Sequence, residues 1–282
     1  MFGKRKDSND GKRMPSGSSH VPSVENGPSR PAYVIERYAA YYPMNNRRRG
    51  MALIFSHYKF AVQHQNLPAR EGNEVDCRRL TETLQMFGFD VHIYRDHKLE
   101  EIKAVTRKVS QMDHKDNDCL LVAVLTHGED GDIIFAHDCA YQFPVIWSQF
   151  TADSCPSLAG RPKIFLIQAC RGTHLETGVK VQRDGIARYS IPTHADFLFA
   201  YATIPGFMAF RNTSDGSWFI SELCNEMRDN GLKYDFLTLL TFVAQKVAFE
   251  HESVSNHQEF NMRKQMPCIV SMLTRVLLFN SV

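Results

Sequence analysis

Two stretches of uninterrupted apolar residues, Leu120-Leu121-Val122-Ala123-Val124-Leu125 and Ile164-Phe165-Leu166-Ile167, constrain the fold of this chain more than any other feature. Such short runs read as strands buried on both faces, the pattern of a parallel sheet covered by helices. Each is followed by residues that carry chemistry: Thr126-His127-Gly128-Glu129 after the first, Gln168-Ala169-Cys170-Arg171-Gly172 after the second. Open α/β sheets gather ligand sites outside the carboxyl ends of their strands. A thiol and an imidazole meeting there form a nucleophile with its acid/base partner, and the intermediate is a thioester.

Further elements alternate around these runs. Met51 to Phe55 reads as a short apolar strand. Val75, Leu80, Leu84 and Phe87 mark a helix face stopped by Gly88, and Phe89 to Tyr94 reads as the next strand. Ile102, Val105, Val109 and Met112 recur at helical steps, and a short hairpin surrounds Ile133 to Phe135. Between Arg171 and Thr193 the pattern gives way to polar, Gly-containing sequence, a connection long enough to be functional. Phe197 to Tyr201 reads as a strand, helices follow from about Trp218 to Met227 and from Phe236 to Phe249, and Cys268 to Phe279 reads as a closing strand. This alternation predicts α/β architecture with a largely parallel sheet and no internal repeats.

Charge separates a tail from a body. Residues 1–50 carry ten Lys/Arg against four Asp/Glu, whereas the whole chain carries 33 against 31. Gly, Pro and Ser supply 14 of the first 33 positions, too little apolar surface to offset chain entropy, so this stretch is expected to be disordered. Its basic clusters, Lys4-Arg5-Lys6 and Lys12-Arg13, read as a solvated tail rather than a nucleic-acid patch, and Arg47-Arg48-Arg49 as a surface loop. No apolar run is long enough to span a bilayer, and no secretory signal is expected. Seven cysteines without a C-x-x-C pair predict reduced thiols in a cytoplasmic protein. Cys77, Cys119, Cys224 and Cys268 read as packed thiols, and His20, His57 and His137 as solvated loop residues.

The Gln168 to Gly172 segment matches the caspase signature, in which a His lies roughly 50 residues upstream of the Cys; here His127 precedes Cys170 by 43. Arg49 to Phe55 resembles that family's first strand, Ala69 to Asp76 its first active-site loop, Phe210 to Phe219 its small-subunit substrate loop, and Lys264 to Cys268 the approach to its final strand. The resemblance runs from about Gly50 to the end and is nearest to executioner caspases of the insect type. It implies a three-layer α/β fold with a mostly parallel six-stranded central sheet and helices on both faces. The boundaries it implies are a propeptide and arm over 1–33 and a catalytic domain over 34–282, with a large subunit of about 11–184 and a small subunit of about 185–282.

The activity implied is that of a cysteine endopeptidase cleaving after aspartate, with a D-x-x-D preference, activated from a zymogen in apoptosis. By this resemblance Cys170 is the nucleophile and His127 the acid/base. The backbone N–H groups of Gly128 and Cys170 form the oxyanion hole, and the Pro68 carbonyl orients the imidazole. Arg70, Gln168 and Arg211 build the pocket for the aspartate side chain, two guanidinium groups suiting a planar carboxylate. Met208, Phe210 and Phe260 wall the preceding side chain, while Asn212 and Trp218 favour a second aspartate further upstream. Phe210 replaces a usual Trp, Met208 a Tyr, Ala209 a Ser, and Val254 and Asn256 two aromatics, which predicts a looser, less aromatic groove. Thr126 stands for a Ser, a change expected to be silent.

Maturation is expected after Asp10, in Asp7-Ser8-Asn9-Asp10, and after Asp184. Implied partners are protein substrates with exposed Asp sites, a second copy pairing through the closing strand, an upstream initiator caspase and an inhibitor-of-apoptosis protein. An unpaired closing strand would invite aggregation, which agrees with the homodimer. No metal, cofactor, nucleic acid or membrane is expected, since their motifs are missing. The alternatives are a catalytically inactive caspase-like regulator of an active relative, and a protease of the same fold with a basic or Asn preference. The complete residue set opposes the first, and the paired arginines oppose the second.

Overall fold

Strands β1 (Met51–Ser56), β2 (Asp90–Arg95) and β3 (Leu120–Leu125) lie in the first half of the central sheet. A small three-stranded hairpin sheet follows, made of β4 (Gly128–Glu129), β5 (Ile133–Phe135) and β6 (Ala140–Gln142). The central sheet is completed by β7 (Lys163–Gln168) and β8 (Phe197–Tyr201), and, after the two-residue strands β9 (Arg211–Asn212) and β10 (Gly216–Ser217), by β11 (Cys268–Ser271). Its order is β11-β8-β7-β3-β1-β2, parallel throughout except that β11 runs antiparallel to β8. The computed structural model describes residues 38–174, 193–255 and 257–279. Asp10, Asp184, Asn256 and the expected propeptide lie outside them.

Every position of β3 and β7 is buried, as uninterrupted apolar runs require. Leu121, Ala123 and Leu125 pack with residues of α1 (Asn73–Met86), α4 (Trp218–Asn230) and α5 (Phe236–Glu250). Leu120, Val122 and Val124 point the other way, into a core shared with α2 (Leu99–Ser110) and the short α3 (Pro144–Trp147). Strand alternation thus puts helices on both faces, and each large apolar side chain so buried contributes about 1.5–3 kcal/mol. The expected three-layer architecture is the observed one.

Several local expectations need correction. The closing run forms a strand only from Cys268 to Ser271. Beyond it, Val276 pairs with Tyr41 and exchanges main-chain hydrogen bonds with Ala40 and Tyr42, while Leu277 and Phe279 are buried in the α1/α4/α5 core. The apolar content there reports a core plug rather than a continuous strand. Helix α2 stops at Ser110, leaving Met112 exposed beyond it. Arg49 is not a surface residue: it is buried, ion-paired with Asp118 at 2.9 Å, and its Nε donates to the Phe87 carbonyl. His57 is fully buried instead of solvated. Cys77, Cys119 and Cys224 are packed thiols whose pKa values burial raises, but Cys268 is only half-buried on the edge strand.

Candidate active site

Strands β3 and β7 run in register, Leu125 opposite Gln168, and the Thr126 N–H donates to the Gln168 carbonyl at 3.1 Å. The next residues on the two strands are therefore carried off the same edge of the sheet. A Cβ on Gly128 would lie 2.2 Å from the Cys170 carbonyl oxygen, so only glycine lets β4 approach the Cys170 backbone this closely. His127 is half-buried, and its Nε2 donates to the Pro68 carbonyl at 2.9 Å. That bond fixes the tautomer and leaves Nδ1 as the basic nitrogen of the neutral ring. Burial depresses the imidazole's pKa, the Pro68 bond partly opposes this, and Arg70 and Arg211 depress it further. The Phe60 ring packs against the imidazole at 4.8 Å between centroids.

Cys170 Sγ accepts from the Ala209 N–H at 3.4 Å and lies 3.8 Å from the Ala209 carbonyl. The sulfur thus rests on the segment that precedes β9, rather than on the imidazole. Hydrogen bonds between catalytic groups often close only in the substrate complex. The 171–174 stretch is laced to the 206–208 loop by four main-chain hydrogen bonds, among them Arg171 N to Phe207 O at 3.0 Å and Met208 N to His174 O at 3.0 Å. The chain just after Cys170 and the 206–208 loop are therefore built into one scaffold.

Arg70 is 1% exposed. Its Nη1 donates to the His57 carbonyl and to Asn73 Oδ1, while Nε and Nη2 are buried with no partner. Burial, aided by the charge of Arg211, lowers its pKa to about 9, which still leaves it cationic at neutral pH. Gln168, at the end of β7, is buried with its Oε1 unpartnered. Arg211 on β9 donates from Nε to the Glu71 carbonyl at 2.6 Å, and its pKa too is lowered by burial. Both guanidinium groups lie within electrostatic range of Cys170. Two cations side by side, one of them fully buried with two nitrogens lacking acceptors, form a site suited to an anion.

The outer positions are brought together less completely. Phe210 stacks on Trp218 at 4.9 Å, and Trp218 on His251 at 5.2 Å, so the ladder of rings continues through an imidazole. Glu222 Oε1 fixes that imidazole by a 2.9 Å contact to Nε2. Asn212 is exposed and its Oδ1 accepts from the N–H groups of Ser214 and Asp215, an inward turn of its own loop. Met208 and Phe260 are half-buried, and among the described residues no ring contact joins Phe260 to the Phe210 stack.

Sequence reading missed three contributors. Gln265 accepts from the Phe210 N–H at 2.6 Å through Oε1 and donates from Nε2 to the Ala202 carbonyl at 2.9 Å, pinning the chain before β9 to the end of β8. Asn73 holds Arg70, and the Glu71 carbonyl holds Arg211. Main-chain partners leave no signature in residue type, although Gln265 does sit inside the quoted Lys264 to Cys268 segment.

Fold and sequence together point to a cysteine peptidase, with Cys170 and His127 carried off neighbouring strands. Residues 49–278 match the family model described as "Caspase domain". The chain is 46% identical to Caspase drICE of Drosophila melanogaster over 96% of this chain and 84% of that one. It is 48% identical to Caspase-1 of Spodoptera frugiperda over 87% and 83%, and 40% identical to Caspase-3 of Felis catus over 84% and 86%. The crystal structure of the Spodoptera protein superposes with a TM-score of 0.82 at 47% identity, covering 88% of this chain and 98% of that one. The chain belongs to the caspase family. It is a cysteine endopeptidase homologous to effector caspases, which makes it an executioner-type protease of apoptosis, and the relationship implies protein substrates and dimeric assembly of large and small subunits.

Proposed function

We propose that this executioner caspase cleaves after aspartate in D-x-x-D sequences, with Cys170 as nucleophile and His127 as its acid/base. The observation that carries the specificity is Arg70: a fully buried cation with two unpartnered N–H-bearing nitrogens, within electrostatic range of Arg211 and of Cys170. A substrate Asp carboxylate seated on these donors positions that residue's own backbone carbonyl carbon at Cys170. The Cys170 proton passes to His127 Nδ1 as sulfur bonds to that carbon, and the oxyanion is received by the N–H groups of Gly128 and Cys170. The C–N bond then breaks, the amine leaves with the proton from the imidazolium, and water hydrolyses the thioester to regenerate the thiol. Glu fits less well because its extra methylene displaces the carboxylate, and a cationic side chain is repelled by the two arginines.

Phe210, Trp218, Met208 and Phe260 serve as the outer subsites, with Asn212 favouring the upstream Asp. Val270, exposed on β11, supports pairing of this edge strand with a second copy. Cleavage after Asp10 and Asp184 by an initiator caspase produces the mature enzyme, and an inhibitor-of-apoptosis protein restrains it. Among the described residues no helix is long and apolar enough to cross a membrane, in keeping with cytoplasmic action. An inactive regulatory role is disfavoured by the complete set Cys170, His127, Arg70, Gln168 and Arg211.

The test is hydrolysis of an Asp-ending tetrapeptide beside its Glu and Asn analogues, with Cys170→Ala as control. Turnover confined to the Asp peptide and abolished in the control is the expected result. Equal turnover of the three peptides would remove the specificity assignment. Mass spectrometry of the active form checks Asp10 and Asp184.

A further inference from the structure

Asp76 lies in the first turns of α1, fully buried, and is bonded to Ser217, the cross-strand partner of Arg211. One carboxylate oxygen, Oδ1, accepts the Ser217 N–H at 2.7 Å, and the other is buried without any hydrogen-bond partner. The carboxylate makes no ion pair with either guanidinium, yet it is within electrostatic range of both Arg70 and Arg211 and steadies the charge of each. Gly216 makes this possible. Its φ is +86°, and a Cβ there would lie 2.4 Å from Asp76 Oδ1, so a side chain would push the carboxylate out of place.

We propose that Asp76 is a positioning residue of the primary pocket, a counter-charge that holds Arg211 beside Arg70 without occupying the N–H groups a substrate carboxylate needs. The proposal rests on the assignment of those two arginines to the pocket. Two like charges shielded from water repel each other. Arg70 is fully buried and bonded through Nη1 to the His57 carbonyl and Asn73, whereas Arg211 is only half-buried, sits on a two-residue strand and is tethered through Nε to the Glu71 carbonyl. Arg211 is therefore the one that swings toward solvent if the repulsion is uncompensated.

A carboxylate in direct contact would solve the repulsion but consume the donors. The Ser217 bond prevents this by anchoring Asp76 to β10, so the compensation acts through the field alone. With Asp76 in place the pocket carries a single net positive charge, which one substrate carboxylate cancels. The same bond ties α1, which precedes residues 175–192, to the 211–217 loop, which follows them.

This arrangement has a signature that a purely structural residue lacks. Burial raises the proton affinity of Asp76 above that of an ordinary carboxylate despite both arginines, so the fold holds this charge at a cost to its own stability. Asparagine keeps the shape and still accepts from Ser217 but carries no charge. In the mature, full enzyme, Asp76→Asn is expected to melt at or above the wild-type temperature. Its KM for the Asp-ending tetrapeptide is expected to rise about tenfold or more with kcat within about twofold, the pattern of lost uniform binding.

An unchanged KM, or a fall confined to kcat, overturns the proposal. So does an Asp76→Asn chain that fails to fold or melts earlier than wild type, because the residue would then be a structural pin. Arg211→Ala separates this from failure of the pocket itself: an Arg211→Ala enzyme with wild-type KM for the Asp peptide sinks the pocket assignment and the role of Asp76 with it.

Discussion

Arg49 and Arg70 are both buried arginines, 4% and 1% exposed, and they sit at opposite ends of β1. At the amino end Arg49 is matched inside the fold, by Asp118 at 2.9 Å and by the Phe87 carbonyl. At the carboxyl end Arg70 has no carboxylate in contact and two buried nitrogens without acceptors. His57 and Gln168, at the same end, also keep buried polar atoms unpartnered. Burying a charge costs several kcal/mol unless it is paired, so the difference separates a cation matched within the fold from one left unmatched at the end where substrate is proposed to bind.

The comparison breaks most visibly if Arg70 is removed without consequence for catalysis. Arg70→Met replaces an unmatched buried cation with an apolar side chain of similar reach. The expected loss in kcat/KM on the Asp-ending tetrapeptide is about a thousandfold, ~4 kcal/mol, in the range for truncating one side of a desolvated charge pair. Melting temperature is expected to hold or rise. A variant with wild-type kinetics would place Arg70 among the structural residues instead.

Arg49→Met should give the mirror image. It strands Asp118, which is buried and already held above the usual carboxylate range by desolvation. Chemical denaturation is expected to show about 3–5 kcal/mol less stability, with KM and kcat per folded molecule unchanged. A shifted KM would mean that the two ends of the sheet are coupled.

How far the sequence speaks depends on which of these two kinds of group is in question. The central sheet was legible because the Leu120 to Leu125 and Ile164 to Ile167 runs allow only a strand covered on both faces, and the observed register delivers His127 and Cys170 to one edge. Charge and size do not declare burial, however, so Arg49 and His57 read as surface residues until their neighbours are known. The Cys268 to Phe279 run was read as one strand because apolar content signals burial without specifying the backbone that achieves it. Asp76 and Gln265 act on the Ser217 and Phe210 N–H groups, donors that nearly every residue type supplies. The outer subsites were named from the family resemblance, and the Trp218–His251 stack, which depends on where α5 ends, was not foreseen.

Acid sharpens the contrast through His57. Its ring is fully buried without a hydrogen-bond partner, and desolvation lowers its pKa from 6.5 to about 4, with Asp96 working in the opposite sense. Between these values the unfolded chain binds the proton and the folded chain does not. Stability is therefore fully present above about pH 6.5 and declines as the pH falls toward 4, by on the order of 3 kcal/mol in total, levelling off below. Urea unfolding at pH 7 and pH 5 should show this loss in wild type and a smaller one in His57→Asn. An identical acid dependence in the variant would assign the effect to another group.

The smallest expected effect comes from the amino end, where redundancy limits the damage of any one change. Asp196, just before β8, receives hydrogen bonds from Tyr42 Oη at 2.7 Å and Thr274 Oγ1 at 2.6 Å, and the Thr274 N–H donates to Tyr42 Oη at 2.9 Å. This knot ties the 40–42 segment to the chain beyond β11. Tyr42→Phe removes one donor from the carboxylate and one acceptor from the main chain but leaves the Thr274 hydroxyl in place. The expected loss of stability is about 1–2 kcal/mol by urea unfolding, with KM for the Asp peptide unchanged. A larger loss would show that the three groups act as a cooperative unit, and any movement in KM would show that the matched end of the sheet helps to set the geometry of the unmatched one.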